Sequence, residues 1–236
     1  MAFDRATRSV RARRVTRLDA LKLDDVPVAV DDPVAAAEAL AAGIAALGID
    51  SLPWSKDQRA LRARASYLNA TLGADWPDLG DAALVADIAW LAPHLVGRLS
   101  LNEITAEDLA GALEGLLPWA RRQEIERLLP SHFDAPSGSR VPIDYGAENG
   151  PALEIRVQEL FGLDRHPSVA GGKVPLLVVL LSPAHRPIQT TRDLPGFWRG
   201  SWADVAKDLR GRYPRHFWPD NPLAAAATAR AKPRGS

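Results

Sequence analysis

The stretch Pro187–Pro222, PIQTTRDLPGFWRGSWADVAKDLRGRYPRHFWPDNP, sets the terms on which the rest of the chain is read. It interleaves Phe197, Trp198, Trp202, Tyr213, Phe217 and Trp218 with Arg192, Arg199, Lys207, Arg210, Arg212 and Arg215. A nucleic-acid surface has this composition, because rings stack on bases and guanidinium forks grip phosphates. So does an amphipathic helix laid on an apolar core. Within the stretch, Ser201 with Asp204 three residues on reads as a capping box, and Gly211 followed by Pro214 reads as a stop. Trp198, Trp202, Val205 and Leu209 then form one apolar stripe at helical spacing, with Arg199, Lys207 and Arg210 off it. The tryptophans are expected to face a core and the cations to face solvent or a partner.

Working outward, the segment before this helix has the texture of a small sheet. Ser137–Gly138 is a turn, and Arg140–Tyr145 and Ala152–Val157 read as two strands of a hairpin around Ala147–Gly150. Gln158–Leu163 suits a short helical turn, Val174–Leu181 a continuous strand buried on both faces, and Ile188–Thr191 a returning strand. Between 32 and 130 the pattern is helical. Asp32–Pro33 opens one helix that Gly48 stops; Ser55 with Gln58 caps a second that carries Arg59, Arg62 and Arg64 close together. A third is expected from Asp81 through Leu84, Ile88 and Leu91 to Pro93, a fourth is capped by Thr105 with Asp108, and Pro118 starts a fifth. Short connections argue for an antiparallel bundle. The expected class is therefore α+β: a β-rich N-terminal piece over 1–31, a helical bundle over 32–130, a mostly antiparallel sheet covered by a C-terminal helix over 131–222, and a disordered Ala/Arg/Pro tail over 223–236.

Composition narrows the setting. The 236 residues are 47% apolar and carry 29 basic and 29 acidic side chains, so the net charge is zero. That balance hides an asymmetry. Residues 1–22 hold Arg5, Arg8, Arg11, Arg13, Arg14, Arg17 and Lys22 against Asp4 and Asp19, and residues 186–216 hold seven cations against Asp193, Asp204 and Asp208. Segregated charge of this kind suits a polyanion contact at the ends, and equally a pair of solvated faces. The absence of cysteine excludes disulfides and thiolate metal sites. No apolar run approaches a membrane span and the basic start lacks a secretory apolar region, so a cytoplasmic location without membrane contact is expected.

No catalytic signature is present. A phosphate-binding P-loop needs G-x-x-x-x-G-K-[ST]; the nearest string, Gly171-Gly172-Lys173-Val174, has Val where the hydroxyl belongs and Pro167 where the first glycine belongs. The five histidines (His94, His132, His166, His185, His216) lack ligand spacing, so no metal site is expected. His132 near Asp134 and Asp144 suggests acid–base work but has no nucleophile beside it. Arg140 after the Gly138–Ser139 turn, and His185–Arg186 on another, suit phosphate or plain exposure. Trp54, Trp76, Trp90 and Trp119 are expected to pack as core or helix anchors.

Several segments carry a resemblance. LPW (Leu52–Trp54), WPDL (Trp76–Leu79), LLPW (Leu116–Trp119), PSGSRVPIDY (Pro136–Tyr145), QELFGL (Gln158–Leu163), LLSPAHRPIQTTRDL (Leu180–Leu194) and the Trp/Arg stretch resemble, in order, the C-terminal region of the HrpB-type branch of the DEAH-box ATP-dependent helicases. The resemblance implies that residues 8–30 match the end of a preceding β-domain, that the chain is truncated or split, and that ATP and magnesium belong to motor domains of full-length members. With neither P-loop nor DEAH motif, no ATPase or helicase activity and no cofactor are expected of this chain alone. An accessory, backbone-directed contact with nucleic acid, single-stranded RNA first, is the leading expectation. Arg140, Arg186, Arg192, Arg199, Lys207, Arg210, Arg212 and Arg215 are its candidate contacts. The alternative is a protein-interaction module that docks on helicase motor domains or a second copy through an apolar patch near Trp198 or Trp218.

Overall fold

Local capping signals account for most of the helix starts. In a computed structural model, which describes residues 1–18, 21–73 and 75–230, the chain forms two compact units, Met1–Arg122 and Gln123–Ser236. The class is α+β, with seven α-helices and three small, mostly antiparallel sheets among the described residues.

The first unit begins with an antiparallel sheet of β1 (Ala2–Asp4), β2 (Ser9–Leu18) and β3 (Leu21–Val28) in that order. Phe3 pairs with Val10, and the Val10 N–H donates to Leu99 O at 2.7 Å, which fastens the strands to the unit's later segments. Helix α1 (Pro33–Leu47) starts as the sequence predicts: the Asp32 carboxylate accepts from Val34 N and Ala35 N, each at 3.0 Å. Gly48 ends it at φ 98°, a conformation that glycine adopts without Cβ strain. Gly43, inside the helix, has a separate purpose. A Cβ there would lie 2.1 Å from Phe3 Cγ, so only glycine lets the ring of β1 reach the helix backbone.

Helix α2 (Lys56–Leu72) opens on the Ser55/Gln58 capping box, with both bonds formed at 3.2 and 2.9 Å. Its Arg62 and Arg64 are buried rather than displayed beside Arg59. The Arg62 guanidinium lies 4.5 Å over the Trp54 ring, donates from Nε to Leu79 O at 3.1 Å and pairs with Asp81. The third helix, α3, is shorter than its periodicity predicts and covers only Asp81–Ala86. Asp87 leaves helical geometry (φ −125°, ψ 82°) and its carboxylate accepts from Ala89 N, starting a 3₁₀ turn at Ile88–Trp90. Pro93 lacks an N–H and disfavours helical residues before it, and a second 3₁₀ segment, Ala92–Leu95, follows. These short segments, rather than a long third helix, pack on α1, and Ala92–Leu95 also packs on α4 (Ala106–Leu116), which carries the Thr105/Asp108 box. Helix α5 (Trp119–Leu128) leads from one unit into the other.

The second unit is built on the sheet order β10-β9-β6-β5-β4: Pro187–Thr191, Leu177–Leu181, Ala152–Arg156, Arg140–Asp144 and His132–Asp134. The hairpin of Arg140–Asp144 with Ala152–Arg156 matches the sequence reading. The run Val174–Leu181 is not one strand. Val174–Pro175 (β8) pairs back with Ser168–Val169 (β7), Pro175 brings no N–H to a central ladder, and Leu177–Leu181 continues as β9. Strand β9 is parallel to β6, with Ala152 opposite Leu177 and Arg156 opposite Leu181.

The C-terminal helix is two helices, α6 (Leu194–Arg199) and α7 (Trp202–Arg212), and the capping reading at Ser201 is overturned. Ser201 already has helical angles (φ −83°, ψ −14°) and caps nothing. The cap is Asp193, which accepts from Gly196 N at 2.9 Å; a Cβ at Gly196 would sit 2.1 Å from Asp193 Oδ2, so glycine leaves room for the carboxylate. Gly211 lies inside α7, which Tyr213 ends instead. The two helices gather an aromatic cluster with Phe161 and Trp218. Trp202, 1% exposed, has Phe161 at 5.4 Å, Trp198 at 5.5 Å, Phe197 at 6.2 Å and Trp218 at 6.4 Å between ring centres. Part of the segment expected to be a tail is held by the 3₁₀ turn Val157–Leu160 that follows β6: Thr228 N donates to Gln158 O at 3.0 Å and Gln158 Nε2 to Arg230 O at 2.8 Å, while Ala231–Ser236 lie outside the described residues.

Candidate nucleic-acid interface

Strand register sorts the predicted cations. Arg140 opens β5, level with Arg156 at the end of β6, and Arg156 is paired across to Leu181, which faces Pro187 beside Arg186. Arg140 and Arg186 therefore stand at one end of the sheet, three strand spacings or roughly 14 Å apart. Arg192 follows β10 at the opposite end and donates to Asn149 O. The eight candidates do not form one patch.

At the Arg186 end a tight turn supplies the scaffold. The buried Ser182 hydroxyl accepts from Arg186 N at 3.1 Å and from Tyr213 Oη at 3.3 Å, and His185 takes a left-handed φ of 57° to close the turn. Tyr213 in turn starts the loop Tyr213–His216, closed by His216 N to Tyr213 O at 3.1 Å, which carries Arg215. Phe217, 37% exposed, follows. This end of the unit thus gathers two exposed arginines and an exposed ring on two rigid turns.

The remaining candidates differ in how far they are occupied. Arg210 is a strut: its Nη2 donates to Trp218 O at 2.9 Å and it pairs with Asp220. Arg212 pairs with Asp208 one turn back at 3.1 Å, and Arg140 with Asp134 at 3.3 Å; both pairs are exposed and weak. Arg186, Arg199, Lys207 and Arg215 are exposed and form no ion pair or side-chain hydrogen bond among the described residues. Beneath the turns, Arg156 Nε holds Glu159 at 2.8 Å while Ser137 Oγ donates to the other carboxylate oxygen at 2.9 Å. Burial pushes the Glu159 carboxyl up, but hydrogen bonds from Ser139, Arg156 and Ser137 and the Arg156 charge outweigh it and hold it below the ordinary glutamate value. Burial and the nearby Arg156 charge lower His216, which therefore favours the neutral form against Trp218.

The tryptophans take no part in any exposed surface here: Trp198, Trp202 and Trp218 are all core, with their indole N–H groups on Leu163 O, Pro219 O and Tyr213 O. Trp54 and Trp76 are buried as expected and Trp90 stacks on Trp54, but Trp119, the first residue of α5, is 70% exposed. His166 is a clamp: its Nδ1 accepts from Leu194 N at 3.1 Å and its Nε2 donates to Leu176 O at 2.7 Å. Among the described residues, no group of three His, Cys, Asp or Glu able to hold a metal occurs and no helix is long and apolar enough to cross a membrane.

The family model described as ATP-dependent helicase C-terminal matches residues 90–222, from the half-buried Trp90 through the aromatic cluster and both turns. The chain belongs to this helicase C-terminal family. This family member is 40% identical over 232 residues to the ATP-dependent RNA helicase HrpB of Escherichia coli K12, covering 98% of this chain and 29% of that protein. A crystal structure of the E. coli DExH-box NTPase HrpB superposes with a TM-score of 0.77 at 37% identity, over 96% of this chain and 30% of that one. A second, of the E. coli DEAH/RHA helicase HrpB, gives 0.69 at 37% identity, over 92% and 28%. The helicase C-terminal chain therefore spans less than a third of the length of the relatives it matches.

Proposed function

We propose that this chain is an accessory RNA-binding part of an HrpB-type helicase, one that grips the sugar-phosphate backbone of a single strand while ATP is hydrolysed by motor domains it does not itself contain. The observation that carries the reading is the pairing of turns at one sheet end, which sets Arg186 and Arg215 outward beside the exposed Phe217. Arg140 extends this path along the sheet end, and Arg212 borders it from the last turn of α7. Arg199 and Lys207, exposed on α6 and α7, are outlying contacts. Arg210 and Arg192 serve first as struts, because their forks are already turned to Trp218 and Asn149. Binding of this kind reads charge and one stacked ring, so it discriminates little among sequences. The name of the Escherichia coli relative, ATP-dependent RNA helicase, favours RNA over DNA as the strand.

The test is anisotropy of a labelled single-stranded RNA across a salt series, with Arg186→Glu/Arg215→Glu as the variant. Each single-strand phosphate contact adds about 0.7 to the log–log salt slope, so the double variant is expected to flatten it by about 1.4 and to bind weakly at low salt. An unchanged slope refutes this placement of the interface. A docking surface for a motor domain or a second copy has one supporting observation, the exposed indole of Trp119, and predicts that Trp119→Ala, not the arginine variant, changes assembly.

A further inference from the structure

A cleft of about 520 Å³ opens in the second unit between β4, the segment Leu163–Ser168 and the β7–β8 hairpin. Its volume lies within the range of small-molecule sites. The walls divide by chemistry. Phe133, Pro136 and Leu163 supply apolar surface, with the Phe133 ring half-buried. Arg165 and Ser168 supply an exposed guanidinium and an exposed hydroxyl, and neither side chain is engaged in a hydrogen bond or ion pair among the described residues.

The frame around these groups is fixed. His166, between the two halves, uses both ring nitrogens on Leu194 N and Leu176 O, so the segment that carries Arg165 is tied to the start of α6. Across the cleft the hairpin turn places three successive residues, Ala170, Gly171 and Gly172, at φ 53°, 66° and 88°, and Ala170 N is held by Leu128 O at 2.7 Å. A left-handed alanine is an uncommon conformation that needs its surroundings to maintain it. The floor therefore keeps its shape without a ligand. Asp134, also on the rim, is turned to Arg140 at 3.3 Å in an exposed, weak pair. That ion pair joins the cleft to the sheet end where the phosphate path begins.

An apolar wall with one ring, facing a free guanidinium and a hydroxyl, suits one nucleotide: a base against Phe133 and a phosphate at Arg165 and Ser168. We infer that this cleft seats a single nucleotide unit, taken from the RNA strand that the sheet end holds. This rests on the RNA-binding reading above and adds to it a base-dependent position. A free nucleoside monophosphate presents the same base and phosphate, and the experiment separates the two sources.

The 236-residue chain and its variants Phe133→Leu and Arg165→Ala are titrated with a labelled single-stranded RNA, with an abasic strand of equal length, and with AMP and UMP followed by NMR. Phe133→Leu keeps an apolar side chain where Phe133→Ala would risk the fold, and circular dichroism checks that both variants retain it. Loss of one stacked base is expected to weaken RNA binding roughly tenfold in Phe133→Leu. Phe133→Leu is expected to bind the abasic strand within about twofold of wild type, since that strand brings no base to the ring, whereas Arg165→Ala, which removes a phosphate contact, is expected to weaken both strands. Variants that bind RNA as tightly as wild type overturn the cleft while leaving the sheet-end interface standing. If the protein binds neither strand, but AMP or UMP shifts resonances of the cleft and these shifts vanish in the variants, the cleft takes free nucleotide and the RNA reading falls. No response to any of the ligands removes both.

Discussion

Replacing Trp202 with phenylalanine separates the two meanings of the Trp/Arg stretch more directly than any surface change. Trp202 is 1% exposed and donates its indole N–H to Pro219 O at 2.9 Å. Phenylalanine removes that donor and leaves the buried carbonyl unpaired, which costs about 1–3 kcal/mol. The smaller ring gives up on the order of 40 Å² of buried apolar surface, about 1 kcal/mol. It also loosens edge contacts to Phe161 at 5.4 Å and Trp198 at 5.5 Å, each worth about 0.5–1.5 kcal/mol when intact. The expected loss is about 3 kcal/mol, a large part of a typical domain's stability of about 5–15 kcal/mol. Urea unfolding followed by far-ultraviolet circular dichroism reads it as a lower midpoint at unchanged slope. RNA affinity of the folded fraction should stay as in wild type. A variant with an unchanged midpoint but abolished RNA binding would show that the ring stacks on bases, and the burial argument would fail.

Two further outcomes concern charge inside the units. Arg62→Leu in the first unit removes a guanidinium that covers Trp54 at 4.5 Å and bonds Leu79 O at 3.1 Å, leaving that carbonyl without its donor; a loss of about 2–4 kcal/mol in urea unfolding is expected, and a neutral result would show that the buried charge gives no net stability. The second unit should weaken in acid in two steps. His216 is depressed in the fold, so its contribution is complete above the ordinary histidine value and declines as pH falls through it; Glu159 is likewise depressed, so its contribution is complete above the ordinary glutamate value and is lost as pH falls further. His216→Phe should flatten the first step and Glu159→Gln the second, with the Glu159→Gln penalty largest near neutral pH. Unfolding midpoints measured from pH 7 to pH 3 decide it, and a penalty that grows on acidification would reverse the assigned sign.

What was legible in the sequence is what depends on neighbours in the chain. Asp32 with Pro33, Ser55 with Gln58 and Thr105 with Asp108 each complete their cap within four residues, and all three form as read. The hairpin of β5 and β6 is local in the same sense. Ser201 with Asp204 carries an equally good local signal and fails. Asp193 followed by Pro195 starts a helix sooner, and joint burial of Phe197, Trp198 and Trp202 against Phe161 selects the break at Gly200. Periodicity overran α3 because Ile88 and Leu91 keep helical spacing in 3₁₀ turns. Among the cations, composition reports charge and not partner. Nothing near Arg210 in sequence announces that Trp218 O and Asp220 take its fork, nor near Arg192 that Asn149 does. The cleft was illegible for a related reason. Phe133 and Arg165 meet only through sheet pairing and the loop that His166 clamps.

The parallel pairing of β6 with β9 also bears on how the second unit is assembled in time. Hairpins β5–β6 and β9–β10 each close over a short connection and are free to form early, whereas β6 and β9 are joined only through Val157–Leu176. Closing a loop of roughly 20 residues costs about 2.7 kcal/mol before any ladder bond compensates, on logarithmic scaling with length. Docking of the two preformed hairpins is then the slow event. Substitutions at Val178 and Leu180, buried on β9, are then expected to retard folding more than they hasten unfolding, so this strand bears on how fast the unit becomes native more than on how long it stays so.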